Sequence, residues 1–371
     1  MKIPFIDLTR EADYCFNELI DDCRSVISSG MYINGPNVKK LESALQEFLQ
    51  VKNIVTVGNG SDAITLILRA LNVGRGDEVI VPTNSFIATA WAVVAVGAKP
   101  IFCDVNDDLL IDLNSAAKLI NEKTKAIIVV HLTGRVVEMY EFKKLASNHN
   151  LHLLEDAAQS FGAKYNNSEF TGSLGVAGAF SLHPLKNLGI YGDGGFISTN
   201  SDMIAFNCRR LRNHGLINRD ESAIWGFNSR LDDLQAAFAL TKLKYIEEWT
   251  SRYIEIAKTY GNLITARIIK PMVRESHRDV YHNYVIRVEE EIRNEFIERM
   301  AKIGVETKIH YPIPIHLQAC ATYLNYSVGD LPKAEMIAKQ MISLPIYPSL
   351  SEQELVYISK AVNLVYSNLA K

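Results

Sequence analysis

The sequence predicts an α/β protein: a mostly parallel central sheet with helices on both faces, followed by a smaller C-terminal α/β domain. Three observations predict it. Short apolar runs rich in β-branched residues recur through roughly the first 240 residues. Turn residues and helix-period segments separate them. From Asp232 onward this alternation stops and one long proline-free helical stretch begins.

The runs are IVTV at 54–57, EVIV at 78–81, PIFCDV at 100–105, AIIVV at 126–130, LHLL at 151–154, GAFSL at 178–182 and GFIST at 195–199. Continuous apolar strands, rather than alternating ones, belong to sheets covered on both faces. Helical patterns such as Asp62 to Leu71 and Glu138 to Asn148 supply the covering layers. The segment from Asp232 to about Asn262 reads as a single helix. Beyond it a polar stretch reaches Tyr284–Val288, followed by an amphipathic segment from Glu289 to Ile303 and a proline-rich loop, IHYPIPIHLQ. We place a large domain over 1–249 and a small α/β domain over 250–371, with the long helix as their joint.

Length and composition suit this reading. A chain of 371 residues can bury a large core without disulfides or structural metals. Its formal net charge of -3, with no lysine- or arginine-rich run, gives no general attraction to nucleic acid or anionic membrane. Cys15, Cys23, Cys103, Cys208 and Cys320 are odd in number, scattered, and contain no CxxC pair, which argues against a disulfide framework or a metal site. No apolar segment approaches the ~20 residues of a membrane span. The expectation is a soluble, cytoplasmic protein.

In such a sheet, ligands sit outside the carboxyl ends of the strands. The residues that follow the runs are therefore informative: GNGSDA after the first, then PTNSF, HLTG, EDAAQS and HPLKN. Gly58-Asn59-Gly60-Ser61-Asp62-Ala63 is a strand–glycine loop–helix junction, whose free N–H groups and dipole favour an anion. It also fits a GxGxxA dinucleotide fingerprint, which requires an acid at the end of the next strand. That strand ends in Pro82-Thr83-Asn84, and the acidic pair Asp77-Glu78 lies before it, so a phosphate cradle of another kind is the better reading.

Asp156 ends an apolar strand, and an isolated aspartate there is ordinarily a helix cap. Lys186, thirty residues on, lies in the glycine-rich stretch SLHPLKNLGIYGDGG, where a lone lysine is ordinarily a solvated surface group. Together with the cradle they form a set that pyridoxal phosphate requires: an amine to bond its aldehyde, a carboxylate to keep its pyridine nitrogen protonated, and a phosphate site. Phe86 in PTNSF is placed to cover the ring. Lys186, once released, becomes a base beside the reacting carbon.

These blocks, in this order, resemble the DegT/DnrJ/StrS family of sugar aminotransferases, fold-type I pyridoxal-phosphate enzymes acting on nucleotide-linked keto sugars. The resemblance runs almost end to end. It takes in IPFIDL at 3–8, SGMYINGPNVKKLE at 29–42, GNGSDAI at 58–64, VPTNSFIATA, GAKPIFCDV, VVHLTGR, LEDAAQS, FSLHPLKNLGIYGDGG, GFNSRLDDLQAA, IHYPIPIHLQ and LPIYPSLSEQE. It implies Lys186 as the Schiff-base lysine, Asp156 as the pyridine-nitrogen partner and Gln159 as a donor to the ring hydroxyl. It further implies Gly60, Ser61 and Ser181 as phosphate ligands, Phe86 as the stacking residue, and Asn228 as a group reaching the phosphate of a neighbouring subunit. The implied assembly is a homodimer with shared sites. His131, His183, Tyr311 and His316 would border the sugar pocket.

The implied reaction moves an amino group, from glutamate, to a keto carbon of a dTDP- or UDP-linked deoxy sugar, within amino-sugar biosynthesis for lipopolysaccharide or another glycoconjugate. The HLxG block and IHYPIPIHLQ favour C3 over C4. Two departures stand out: Phe86 replaces the tryptophan or tyrosine of some members, and HLTGR replaces the commoner HLYGQ. Relatives with histidine at the lysine position are sugar dehydratases. A pyridoxal-phosphate dehydratase and a non-catalytic, cofactor-binding regulatory protein are therefore the alternatives.

Overall fold

A computed structural model describes residues 1–370. All seven apolar runs are strands of one sheet. They are β1 (Asn53–Val57), β2 (Glu78–Pro82), β3 (Lys99–Cys103), β4 (Thr124–Val130), β5 (His152–Asp156), β8 (Ala177–Ser181) and β9 (Gly195–Thr199). A two-stranded hairpin, β6 (Lys164–Tyr165) with β7 (Glu169–Phe170), precedes β8. The sheet order is β1-β9-β8-β5-β4-β2-β3, and only β9 runs against its neighbours. That reversal has a local cause. Residues 182–194 form a loop that carries Lys186 and returns the chain directly beside β8, pairing Ser181 with Gly195.

Alternate residues of each strand enter opposite cores, which is why the runs are apolar throughout. Val79, Val81, Ala126 and Ile128 pack with the helices Gly60–Ala70, Ile87–Ala95 and Asp202–Leu211. Ile80, Ile127 and Val129 face the other way, toward Met139, Phe142 and Ala146 of the helix Met139–Asn148.

The stretch from Asp232 to Asn262 is two helices, Asp233–Leu243 and Ile246–Leu263, and not the single one its pattern predicts. The break comes from tertiary contacts, since no glycine or proline stands there. Lys244 and Tyr245 close tight i→i−3 bonds to Thr241 and Lys242. Both side chains are drawn to Glu18, and the Tyr245 ring stacks on Trp249.

Beyond these helices, β10 (Tyr284–Arg287) and β11 (Met341–Leu344) pair antiparallel. The helices Ile246–Leu263, Glu290–Lys302 and Glu352–Leu369 close a core with them around Tyr260, Phe296 and Val362. Ile3 joins this core and pairs with Val305, so the first residues of the chain pack among its last. Residues 315–331 return to the sheet, where the Ile315 N–H bonds the Thr83 carbonyl and Ile315, Ala321 and Leu331 enter the first core. No helix among the described residues is long and apolar enough to cross a membrane.

Candidate active site

The carboxyl ends of β1, β2, β4, β5 and β8 meet along one edge, and a cavity of about 360 Å³ opens there. Asn59, Gly60, Ser61, Phe86, Asp156, Gln159, Ser181, His183, Lys186 and Tyr311 all line it. Nine of the twelve residues singled out from the sequence thus share one pocket; the exceptions are Asn228, His131 and His316.

At the floor, Asn59 caps the helix Gly60–Ala70 by accepting the Asp62 N–H on Oδ1 at 2.8 Å. The backbone N–H groups of Gly60 and Ser61 have no acceptor among the described residues, leaving two donors and the positive end of the helix dipole for an anion. Gly60 must be glycine here, because a Cβ would lie 2.9 Å from the Ser181 Cβ. Ser181 Oγ accepts the His183 N–H at 3.2 Å and keeps its own proton available.

Asp156 is buried at the end of β5. Its Oδ1 accepts the Ala158 N–H at 3.2 Å, and its Oδ2 accepts the Thr89 hydroxyl at 2.7 Å. Burial pushes the carboxyl above its ordinary range, opposed by the Thr89 hydrogen bond and by Lys186. The loop that presents Lys186 is pinned by its buried Leu188 and Ile190. Leu182 N–H bonds the Gly194 carbonyl and Ile190 N–H bonds the Leu182 carbonyl, each at 2.8 Å. The Lys186 amine forms no ion pair, and burial lowers it to about 8 against the pull of Asp156. Roughly a tenth of such amines are neutral at pH 7, against about three in ten thousand for an ordinary lysine.

Gln159 is held between two partners. Its Oε1 accepts the Thr133 N–H at 2.7 Å and its Nε2 donates to the Tyr311 hydroxyl at 3.3 Å. Half-exposed Phe86 leans over the mouth, its ring 5.8 Å from that of Tyr311. His183 sits on the rim, where partial burial of its ring, and after it the charge of Lys186, lower its pKa.

Two expected pocket residues lie elsewhere. His131 is fully buried, accepting the Val137 N–H on Nδ1 at 3.1 Å and donating through Nε2 to Glu155 at 3.0 Å. His316 is equally buried between Thr83 at 2.7 Å and Glu335 at 3.2 Å. Each ring has both nitrogens engaged by protein and neither lines the cavity. Asn228 is exposed on the segment 214–228, outside the pocket of its own chain.

Sequence reasoning passed over His282 and His310, which also line the cavity. Burial pulls His282 well below the ordinary histidine range and lowers His310 to about 4, so both present neutral rings at pH 7. His310 adjoins Tyr311 in IHYPIPIHLQ, and that adjacency was the available signal. Ser85 and Thr89, inside the PTNSFIATA block, were missed as well. A larger cavity, about 570 Å³, lies between the N-terminal helix and the helix Ile246–Leu263. Its arginines are already paired, Arg10 with Glu354 and Arg252 with Glu255 and Glu352.

The model of the DegT/DnrJ/EryC1/StrS aminotransferase family matches residues 14–363. The chain is 40% identical to the dTDP-3-amino-3,6-dideoxy-alpha-D-galactopyranose transaminase of Aneurinibacillus thermoaerophilus, across 97% of this chain and 99% of that one. It is 38% identical, over the full length of both, to the pleiotropic regulatory protein of Geobacillus stearothermophilus. The crystal structure of NtdA from Bacillus subtilis with bound cofactor PMP superposes with a TM-score of 0.92, covering 99% of this chain and 85% of that one at 29% identity.

Proposed function

The chain belongs to the DegT/DnrJ/EryC1/StrS aminotransferase family, and from that premise we propose that it uses pyridoxal phosphate to transfer an amino group to a nucleotide-linked keto sugar. One observation carries the reading: Lys186 and Asp156 converge on a pocket whose floor is the open helix start at Gly60. The donor set fits the cofactor. There is an amine without an ion pair, a carboxylate with room for one more partner, two unclaimed N–H groups, and a glycine where any side chain would fill the cradle.

Bound pyridoxal phosphate supplies an aldehyde that bonds to amines and a ring that withdraws electrons from the adjoining carbon. The residues do the rest. Gly60, Ser61 and Ser181 would hold the phosphate, and Phe86 would cover one ring face. Asp156, when ionised, would keep a proton on the ring nitrogen, and Gln159 would orient the ring from its hydroxyl side. Lys186 would anchor the cofactor and, once freed, its Nζ would carry a proton between the donor's α-carbon and the cofactor's aldehyde carbon.

Within this reading the amino donor is glutamate and the acceptor carbon is C3 of a dTDP- or UDP-linked sugar. The HLxG and IHYPIPIHLQ blocks support C3, as does the amino position in the Aneurinibacillus relative's name. The active form is a homodimer. Trp225 is 94% exposed, Ile224 and Phe227 are also exposed, and Asn228 adjoins them, which suits burial against a second copy.

The Geobacillus relative is named a regulatory protein, and one experiment separates transamination from a regulatory role without turnover. Glutamate added to the cofactor-loaded protein should convert the visible absorbance of the aldehyde form to that of the amine form. An unchanged spectrum with every amino donor tried would contradict transamination.

A further inference from the structure

Ser85 and Thr89 flank the start of the helix Ile87–Ala95, and both are buried. In a helix a threonine hydroxyl ordinarily bonds back to a carbonyl three or four residues earlier. Thr89, in the helix Ile87–Ala95, turns its Oγ1 instead onto Asp156 Oδ2 at 2.7 Å. The same Oγ1 lies 2.9 Å from Ser85 Oγ, and both residues are buried. A hydroxyl has one proton, and an ionised carboxylate can only accept. With Asp156 ionised, the Thr89 proton goes to Asp156, and Ser85 donates to Thr89. This fixes a one-way relay, Ser85 to Thr89 to Asp156, with Ser85 at the wall of the pocket.

We propose that Ser85 and Thr89 are positioning residues that keep Asp156 ionised and aimed at the cofactor's ring nitrogen. The inference rests on the functional reading above. Its physical basis is a competition at one carboxyl. Burial favours the neutral acid, which cannot hold a proton on the ring, whereas a hydrogen bond aimed at the charged form opposes that preference. Only the Ala158 N–H, at 3.2 Å, would remain on Asp156 without Thr89. Polarisation along the relay strengthens the inner bond, giving Ser85 a smaller effect of the same sign.

The test uses the holoenzyme loaded with cofactor labelled with ¹⁵N in its ring. In Thr89→Val the ring-nitrogen resonance should move toward the unprotonated position, because the shared proton passes to Asp156. Cofactor affinity should weaken about tenfold, the scale of one hydrogen bond to a charged group. The acid limb of the kcat profile should move to higher pH, and Thr89→Ser should restore all three quantities. A folded Thr89→Val holoenzyme with the wild-type resonance and pH limb would overturn the proposal. Should that variant not fold, Ser85→Ala decides: a smaller shift in the same direction supports the relay, and the wild-type resonance overturns it. Wild-type protein that fails to bind the cofactor would instead sink the functional reading, so the two failures are distinguishable.

Discussion

At the scale of single residues, chemistry and stability are separable at Lys186 and joined at Asp156. Lys186 forms no ion pair and lies in a loop pinned by its neighbours, so Lys186→Ala should leave a folded protein. Its transamination should fall below a few percent of wild type, and turnover above that would remove Lys186 from its role. Asp156→Asn keeps the shape and loses the charge. Cofactor binding should survive in part while kcat falls on the order of a hundredfold, because a neutral amide cannot hold the ring proton. Near-normal turnover would make Asp156 a structural group. The histidines show why residue-level reading stops where it does. His131, His183, His282, His310 and His316 look alike in a sequence. Which of them faces a cavity depends on partners such as Glu155 and Glu335, far away along the chain or on another turn.

At the scale of elements, the strands were legible because each is buried on both faces and so reads as an unbroken apolar run. The break near Lys244 was not, because it comes from Glu18 and Trp249 rather than from a local breaker. The contact between the first and last helices was equally hidden. Arg10 bonds both carboxylate oxygens of Glu354, at 3.0 and 2.9 Å, and Glu354 also completes a capping box with Ser351. Glu354→Gln retains the capping geometry and removes the charge, so it isolates the ion pair. We expect a loss of about 1 kcal/mol near neutral pH, discounted because Arg10 is partly exposed. The pH dependence follows in sign. The Arg10 guanidinium, ahead of burial, holds the Glu354 carboxyl below its ordinary range. A group lowered on folding stabilises fully above its unfolded pKa, and that contribution disappears as pH falls through the folded value. Wild type should therefore lose more stability than Glu354→Gln in urea titrations between about pH 6 and about pH 3. Equal losses would show that the pair contributes nothing.

At the scale of the molecule, the proposed homodimer makes a prediction of its own. If Asn228 of one subunit reaches the phosphate cradle of the other, Lys186→Ala and Asn228→Asp should each be inactive alone, the aspartate being repelled by phosphate. After subunit exchange, a heterodimer has one doubly defective site and one intact site. Activity should then return to as much as half of wild type per heterodimer. Exchange demonstrated by mass spectrometry without recovered activity would place each site within one chain, and a monomer in sedimentation would contradict the dimer outright.

Every other proposed role depends on Lys186 being the amine that holds the cofactor. Borohydride reduction of the pyridoxal-phosphate-loaded protein, followed by proteolysis and mass spectrometry, reads that bond without any assay of turnover. The added cofactor mass should appear on the single peptide that contains Lys186. Reduced cofactor on another lysine, or on none, would contradict it.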